Sequence, residues 1–251
     1  LEDRLKAIIL AGGNGRRLGD LTIQLNKHIL PVYSKPMIFY PIEMFVGAGI
    51  TDIMIILGGN SVGPLTELIG DGAKLGASVT YRYQYKADGI AGALKLARDF
   101  VGEDRFLVCL GDNVFFDSSQ IVLDMIAEAP QDNFMPTAIL ATCPTDRPQS
   151  FGVPTLGLNN EILKITEKPH SPDSNLAITG LYCYDKYIWS VIDSLEPSAR
   201  LELEISDANN AYIKNGSVKH ISCKKPWRDC GDIDALLDCA NMVRNLKNGS
   251  K

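Results

Sequence analysis

The hydrophobic positions of this chain gather into short aliphatic runs, separated by stretches whose apolar residues recur three and four apart. The runs are Ala7–Leu10, Ile53–Leu57, Val79–Tyr83, Phe106–Leu110 and Thr137–Ala141. Runs this short and this apolar read as strands of a parallel sheet covered on both faces. Between them, Met37–Ala48, Pro64–Ile69, Ile90–Phe100 and Ile121–Glu128 carry helical periodicity. Strands alternating with helices predict right-handed crossovers and hence an α/β, Rossmann-like, mostly parallel sheet with helices on both faces. Such sheets bind ligands beyond the carboxyl ends of their strands. Site residues are therefore expected in Ala11–Thr22, Gln84–Gly89 and Gly111–Asp117.

After residue 142 the pattern changes. Phe151–Leu156, Glu161–Thr166 and Ala177–Tyr184 read as strands separated by turns at Gly157–Asn160 and Pro169–Ser174. They predict a β-rich insertion against one side of the same cleft. Helices are expected near Lys186–Ser194 and Glu204–Lys214, then a strand Val218–Cys223 and a last helix from about Ile233 to Leu246. The organisation expected is one domain: a core over about 1–142, a β-rich part over about 143–226 and a C-terminal segment from about 227.

Composition narrows the function classes. The 251 residues suffice for a large core without a disulfide or metal staple. With 25 basic and 30 acidic residues the net charge is −5. No long basic run occurs, which argues against nucleic-acid binding. The six cysteines form no C-x-x-C pair and several lie in apolar runs, as expected of buried, reduced thiols in a cytoplasmic protein. No apolar run approaches the length of a membrane span, and no signal peptide is expected.

The first loop carries the first chemical signal. The stretch LAGGNGRRLGDL, residues 10 to 21, follows an aliphatic strand directly. Glycines there let the backbone approach a ligand and offer N–H groups to an anion, and two guanidiniums add positive charge. The loop is suited to phosphate. It is not a dinucleotide fingerprint, because Gly13-Asn14-Gly15 is followed by Arg16, Arg17 and Leu18 where a third glycine is required. Nor does it contain the Gly-Lys-Ser/Thr of a P-loop. A tight turn with solvated arginines remains the plain alternative.

Acidic positions add the second signal. The apolar strand Phe106–Leu110 ends in Gly111-Asp112-Asn113, and Trp227-Arg228-Asp229-Cys230-Gly231 precedes the final helix. Each aspartate has an ordinary turn or capping explanation. Together with a basic glycine loop, two separated carboxylates make a kit for Mg²⁺-assisted phosphoryl or nucleotidyl transfer.

At these residues the chain resembles the sugar-1-phosphate nucleotidylyltransferases, and within them the short-form thymidylyltransferases. LAGGNGRRL (Leu10–Leu18) resembles the family's L-A-G-G-x-G-T-R-L, and KHILPV, beginning at Lys27, its K-x-L-L-P-V. Gly111-Asp112-Asn113, Phe151-Gly152-Val153, Glu167-Lys168-Pro169 and Ile178-Thr179-Gly180-Leu181-Tyr182 follow in order. The run from Pro197 to Asp207, PSARLELEISD, resembles P-S-A-R-G-E-L-E-I-T-D. The likeness extends from residue 6 to about residue 240.

The resemblance implies a nucleotide-diphospho-sugar transferase fold in which the β-rich insertion binds sugar. It implies that a hexose 1-phosphate, glucose 1-phosphate by first reading, attacks the α-phosphorus of dTTP and expels pyrophosphate. Leu10, Ala11, Gly12, Gly13 and Gly15 would line the nucleotide, with Gln84 and Gly89 as the base-reading pair. Arg17 and Lys27 would neutralise phosphates, and Asp112 and Asp229 would hold Mg²⁺. Gly152, Glu167, Lys168, Ile178 and Arg200 would form the sugar-phosphate pocket. Tyr81, Tyr83, Tyr182 and Tyr184 alternate along strands and are expected to pack rather than bind.

The chain departs from the family at Arg16 (a small hydroxyl residue), Gly92 (a polar residue), Leu201 (a glycine), and Cys230 and Asp232 (threonines). The same reaction with UTP or an amino-sugar phosphate, and a weakly catalytic nucleotide-sugar binder, stay open, as does a homo-oligomer. The polar tail after the last helix is expected to be too short for the extra helices of longer members.

Overall fold

In the computed structural model, which describes residues 5–13, 15–59, 62–130 and 135–249, the alternating runs become alternating elements. The first half comprises β1 (Lys6–Ala11), β2 (Pro31–Val32), β3 (Lys35–Pro36), α1 (Phe39–Gly47), β4 (Asp52–Gly58), α2 (Val62–Ile69) and β5 (Ser78–Gln84). It continues through α3 (Gly89–Leu94), α4 (Arg98–Val101), β6 (Phe106–Leu110), β7 (Asn113–Phe115) and α5 (Ser119–Glu128). The second half holds β8 (Thr137–Pro144), β9 (Gly152–Leu156), β10 (Ile162–Glu167) and β11 (Leu176–Tyr184). It closes with α6 (Tyr187–Ser194), α7 (Ile205–Asn215), β12 (Ser217–Ser222), β13 (Trp227–Asp229) and α8 (Ile233–Gly249). Asn14, inside the glycine loop, and the last two residues of the tail lie outside the described residues.

β1 is central and parallel to β4 on one side and β6 on the other, with β5 beyond β4. Its side chains alternate between two cores, which is why the run has no polar face. Ala7, Ile9 and Ala11 pack with Ile53 and Ile55 against Ile42 and Phe45 of α1 and Val122 of α5. Ile8 and Leu10 pack with Met54 and Ile56 against Ala91 and Leu94 of α3 and Ile192 of α6. Helices cover both faces, as the periodicity requires.

The strands β9 to β12 make no separate layer; they extend the same nine-stranded sheet. β11 runs antiparallel to β6, pairing Leu181 with Cys109 and Tyr184 with Phe106. It continues past the end of β6, and there β9 joins it at Gly152↔Ile178. β8 and β12 complete the far side of β11.

Two expectations change in detail. Ile90–Phe100 is not one helix: a 3-10 turn over Lys95–Ala97 separates α3 from α4. The apolar spacing survives the tighter winding, since Leu94, Ala97 and Val101 all remain buried. Tyr81, Tyr182 and Tyr184 pack as expected, but Tyr83 is exposed at the end of β5 and lines a cavity. All six cysteines are free thiols, five of them buried. Among the described residues no helix is long and apolar enough to cross a membrane.

Candidate active site

β1 and β6 end side by side, with Leu10 opposite Leu110. The glycine loop therefore leaves the sheet beside Gly111-Asp112, and Gln84 enters from the end of β5. Three cavities lie along this edge and share walls. One of about 290 Å³ is lined by Gly12, Gly13 and Gln84. The next, about 380 Å³, has the same three residues with Arg17, Lys27 and Asp112. The third, about 230 Å³, shares Arg17 and Asp112 and adds Asp229, Gly152, Glu167 and Ile178.

At the first end, Gln84 Nε2 donates to Asp88 Oδ1 at 2.7 Å and to Gly89 O at 3.3 Å. Its Oε1 lies over Gly12, where an added Cβ would meet it at 3.0 Å. Gly89 takes φ of +94°, and a Cβ there would strike Leu203 O at 2.6 Å, so glycine is required.

The centre holds the charges. Lys27 sits on a 3-10 turn, Lys27–Ile29, capped by Asn26. Asn26 Oδ1 accepts from His28 N at 3.0 Å and from His28 Nδ1 at 2.7 Å. His28 is buried beside the Lys27 ammonium, and burial first, then that charge, pushes its pKa down to about 3. It is neutral and serves as packing under Gly111. Lys27 Nζ donates to Asp112 Oδ2. Burial opposes the Asp112 charge, but the Lys27 ammonium and hydrogen bonds from Lys27 and Asn113 outweigh it and hold the carboxyl well below the usual range.

Asp229 reaches this point through a short ladder absent from the sequence reading. β13 pairs antiparallel with β7, Asp229 opposite Asn113. The Asp229 pKa rises to about 7, because it is buried and faces the negative Asp112. Arg17 NH2 stands 3.9 Å from Asp229 Oδ2, while Oδ1 is buried without a hydrogen-bond partner. An orphaned carboxylate oxygen beside a second carboxylate fits a hard divalent cation such as Mg²⁺, which takes one or two carboxylates and completes its shell with phosphate oxygens and water. No cluster of three or more metal-ligating side chains occurs among the described residues.

The third cavity is assembled by strand register. Gly152 pairs with Glu167 of β10 and with Ile178 of β11, so three residues from separate segments form one row. Glu167 Oε2 accepts from Ser206 Oγ at 2.6 Å. Lys168 and Arg200 stand 3.3 and 3.5 Å from Glu167 Oε1. Lys168 holds φ of +43°, a left-handed conformation uncommon outside glycine.

Of the candidate site residues, all line these cavities except Ala11 and Gly15. Ala11 is buried in the core below the loop. Gly15, at φ +65°, makes the turn, its carbonyl accepting from Leu18 N and Thr22 Oγ1. Thr22 lies in the loop expected to hold site residues, whereas sequence reasoning missed Leu25, Asn26 and Tyr83 in the first cavity and Ser206 and Trp227 in the third. It also missed the connecting role of Asn113. Asn113 Oδ1 accepts from Trp227 Nε1 at 2.7 Å and Gly180 N at 3.0 Å, while Nδ2 donates to Asp112 Oδ1 at 2.9 Å. Its place next to Asp112 was the only available signal.

The departures are absorbed locally. Arg16 is exposed, and Cys230 is buried among Val32, Val114 and Cys239. Asp232 accepts from Ala235 N at 2.8 Å and pairs with Arg147 at 3.5 Å. Leu201 takes φ of +59° with 80 % of its surface exposed.

The nucleotidyl transferase family model matches residues 6–245. A glucose-1-phosphate thymidylyltransferase of Neisseria meningitidis is 38% identical over 97% of this chain and 84% of its own length. One of Mycobacterium tuberculosis is 37% identical over 97% and 83%. Among solved structures, a candidate glucose-1-phosphate thymidylyltransferase from Bacillus anthracis, in complex with a sucrose, superposes with a TM-score of 0.87. It is 42% identical, over 96% of this chain and 95% of that one. A UDP-glucose pyrophosphorylase solved with UDP-glucose shares the fold at 22% identity and a TM-score of 0.83, over 96% and 98% of the two chains.

Proposed function

This chain belongs to the nucleotidyl transferase family, as an enzyme joining a nucleotide to a sugar 1-phosphate, and we propose that it transfers deoxythymidylate from dTTP to a hexose 1-phosphate, glucose 1-phosphate first among them. The products are a dTDP-sugar, a precursor for deoxysugar or polysaccharide synthesis, and pyrophosphate. The observation that carries this reading is the position of Arg17 and Lys27, with Asp112 and Asp229, where the cavities join.

The base would lie against Gln84 and Gly89, the triphosphate along Gly12 and Gly13, and the sugar in the row formed by Glu167, Gly152 and Ile178. The reaction makes one bond, from the sugar phosphate oxygen to the α-phosphorus, and breaks the bond to the pyrophosphate oxygen. No side chain has to become a covalent nucleophile. Two anions must approach, and Lys27, a nearly buried cation, offsets their repulsion by exchanging Asp112 for phosphate oxygen. Arg17, with a largely exposed guanidinium, is free to swing onto the triphosphate. Lys168 and Arg200 hold the acceptor phosphate while Glu167 accepts from sugar hydroxyls. Asp112 and Asp229 would hold Mg²⁺, which when bound neutralises charge on the nucleotide phosphates.

The test is pyrophosphate release measured over dTTP, UTP, dCTP and dATP crossed with glucose, galactose and glucosamine 1-phosphates. Highest kcat/KM with dTTP and glucose 1-phosphate is expected. A preference for UTP, or for the amino sugar, would keep the chemistry and replace the substrates. Binding without turnover for every pair would overturn the reading.

A further inference from the structure

Asp88 precedes α3 at the helix N-cap position, where an aspartate ordinarily accepts from a backbone N–H of the first turn. Here its side chain makes no cap bond. It turns instead to Gln84 and accepts from Nε2 at 2.7 Å. It can lie there because residue 92 has no side chain. A Cβ on Gly92 would stand 2.3 Å from Asp88 Oδ1 and 2.5 Å from its Cγ, inside the carboxylate. The main chain at Asp88 is pinned as well, its carbonyl accepting from Leu203 N at 2.8 Å.

The consequence falls on Gln84. An amide side chain can present either its carbonyl or its NH₂ group to a ligand, and rotation about one bond exchanges them. With Nε2 donating to both Asp88 and Gly89 O, that rotation would set Oε1 against a carboxylate and a carbonyl, acceptor against acceptor. Oε1 is therefore the atom held at the cavity wall, over Gly12. Beside it, Gly89 opens α3, and first-turn N–H groups have no intrahelical acceptor. An acceptor next to a donor matches the imide edge of thymine or uracil, whose N3–H donates and whose O4 accepts. Cytosine presents the opposite order.

We infer that Asp88 is a positioning residue for base selection, locking the Gln84 carbonyl toward the nucleotide, and that the bare Gly92 is what admits it. This rests on the nucleotide reading given under Proposed function. Asp88 does not touch the base; it acts through Gln84.

The experiment compares wild type, Asp88→Ala, Asp88→Asn and Gly92→Ser with dTTP, UTP and dCTP at saturating glucose 1-phosphate, with thermal midpoints to confirm folding. Asp88→Ala removes the closer of the two acceptors that hold the amide, leaving only the 3.3 Å bond to Gly89 O, and Gly92→Ser displaces the carboxylate without altering it. Both should narrow the dTTP-to-dCTP ratio of kcat/KM by about tenfold, through KM for the nucleotide. Asp88→Asn should keep most of the ratio, because its Oδ1 still accepts from Gln84 Nε2. The Gln84 side-chain amide resonances, read by NMR without turnover, should shift in Asp88→Ala and Gly92→Ser and hold near wild type in Asp88→Asn. An unchanged ratio in folded Asp88→Ala and Gly92→Ser overturns the inference and leaves the proposed reaction standing. A wild-type enzyme that does not favour dTTP or UTP over dCTP overturns both.

Discussion

Asp229 stands opposite Asn113 across the β7–β13 ladder, and the N–H of Cys230 donates to Asp112 O at 2.8 Å, so carboxylates far apart in the chain share one wall. That backbone pairing, not the side chains, brings them together. Replacing either carboxylate by its amide keeps the ladder and removes the charge. Asp112→Asn and Asp229→Asn should each lower pyrophosphate release on the order of 10²-fold. Near-normal turnover in both, over a Mg²⁺ titration, would remove these residues from cation binding.

Asn113 ties that wall to the rest of the sheet. Asn113→Ala strands the buried N–H groups of Gly180 and the Trp227 indole and loosens Asp112. A loss of about 2–4 kcal/mol in urea unfolding is expected, since orphaned buried donors cost more than a net hydrogen bond. A loss under 0.5 kcal/mol would show that water replaces the amide (about the limit for an ordinary surface change).

Lys27→Met tests the charge balance from the other side. The Asp112 pKa is held below its unfolded value, so in wild type its contribution to stability is present above the unfolded carboxylate pKa of about 3.9 and fades as pH falls below it. Without Lys27, the carboxylate stays buried beside Asp229 and its pKa rises. The variant should lose about 3 kcal/mol at neutral pH. The deficit should shrink toward pH 4 (about the unfolded value) as Asp112 takes a proton. A deficit that grows on acidification would contradict this assignment.

Leu201 offers a gain. It sits at φ +59°, exposed, where a Cβ crowds the backbone and glycine does not. Leu201→Gly relieves that strain and gives back part of it as unfolded-chain entropy. A net stabilisation of about 0.5–1 kcal/mol should appear as a midpoint raised by roughly 2 °C. A lowered midpoint would mean that the leucine packs better than its exposure indicates.

Periodicity and local chemistry by themselves determined a great deal. The unbroken apolar character of Ala7–Ala11 marks a strand with a core on each face, and the α/β alternation follows from it. The gathering of candidate site residues at strand ends was legible too, because glycines, basic residues and Gly-Asp-Asn leave a local record. Other features depend on partners distant in the chain. No local signal tells that Asp229 will lie against Asn113, or that Leu25 and Asn26 wall the first cavity. The row of Glu167, Gly152 and Ile178 exists only through the pairing of three strands, and the orientation of Gln84 only because Gly92 leaves room for Asp88. Composition and spacing specify which faces are buried. Register, short ladders and side-chain packing decide which chemical groups meet, and those distances come into being only when the chain closes on itself.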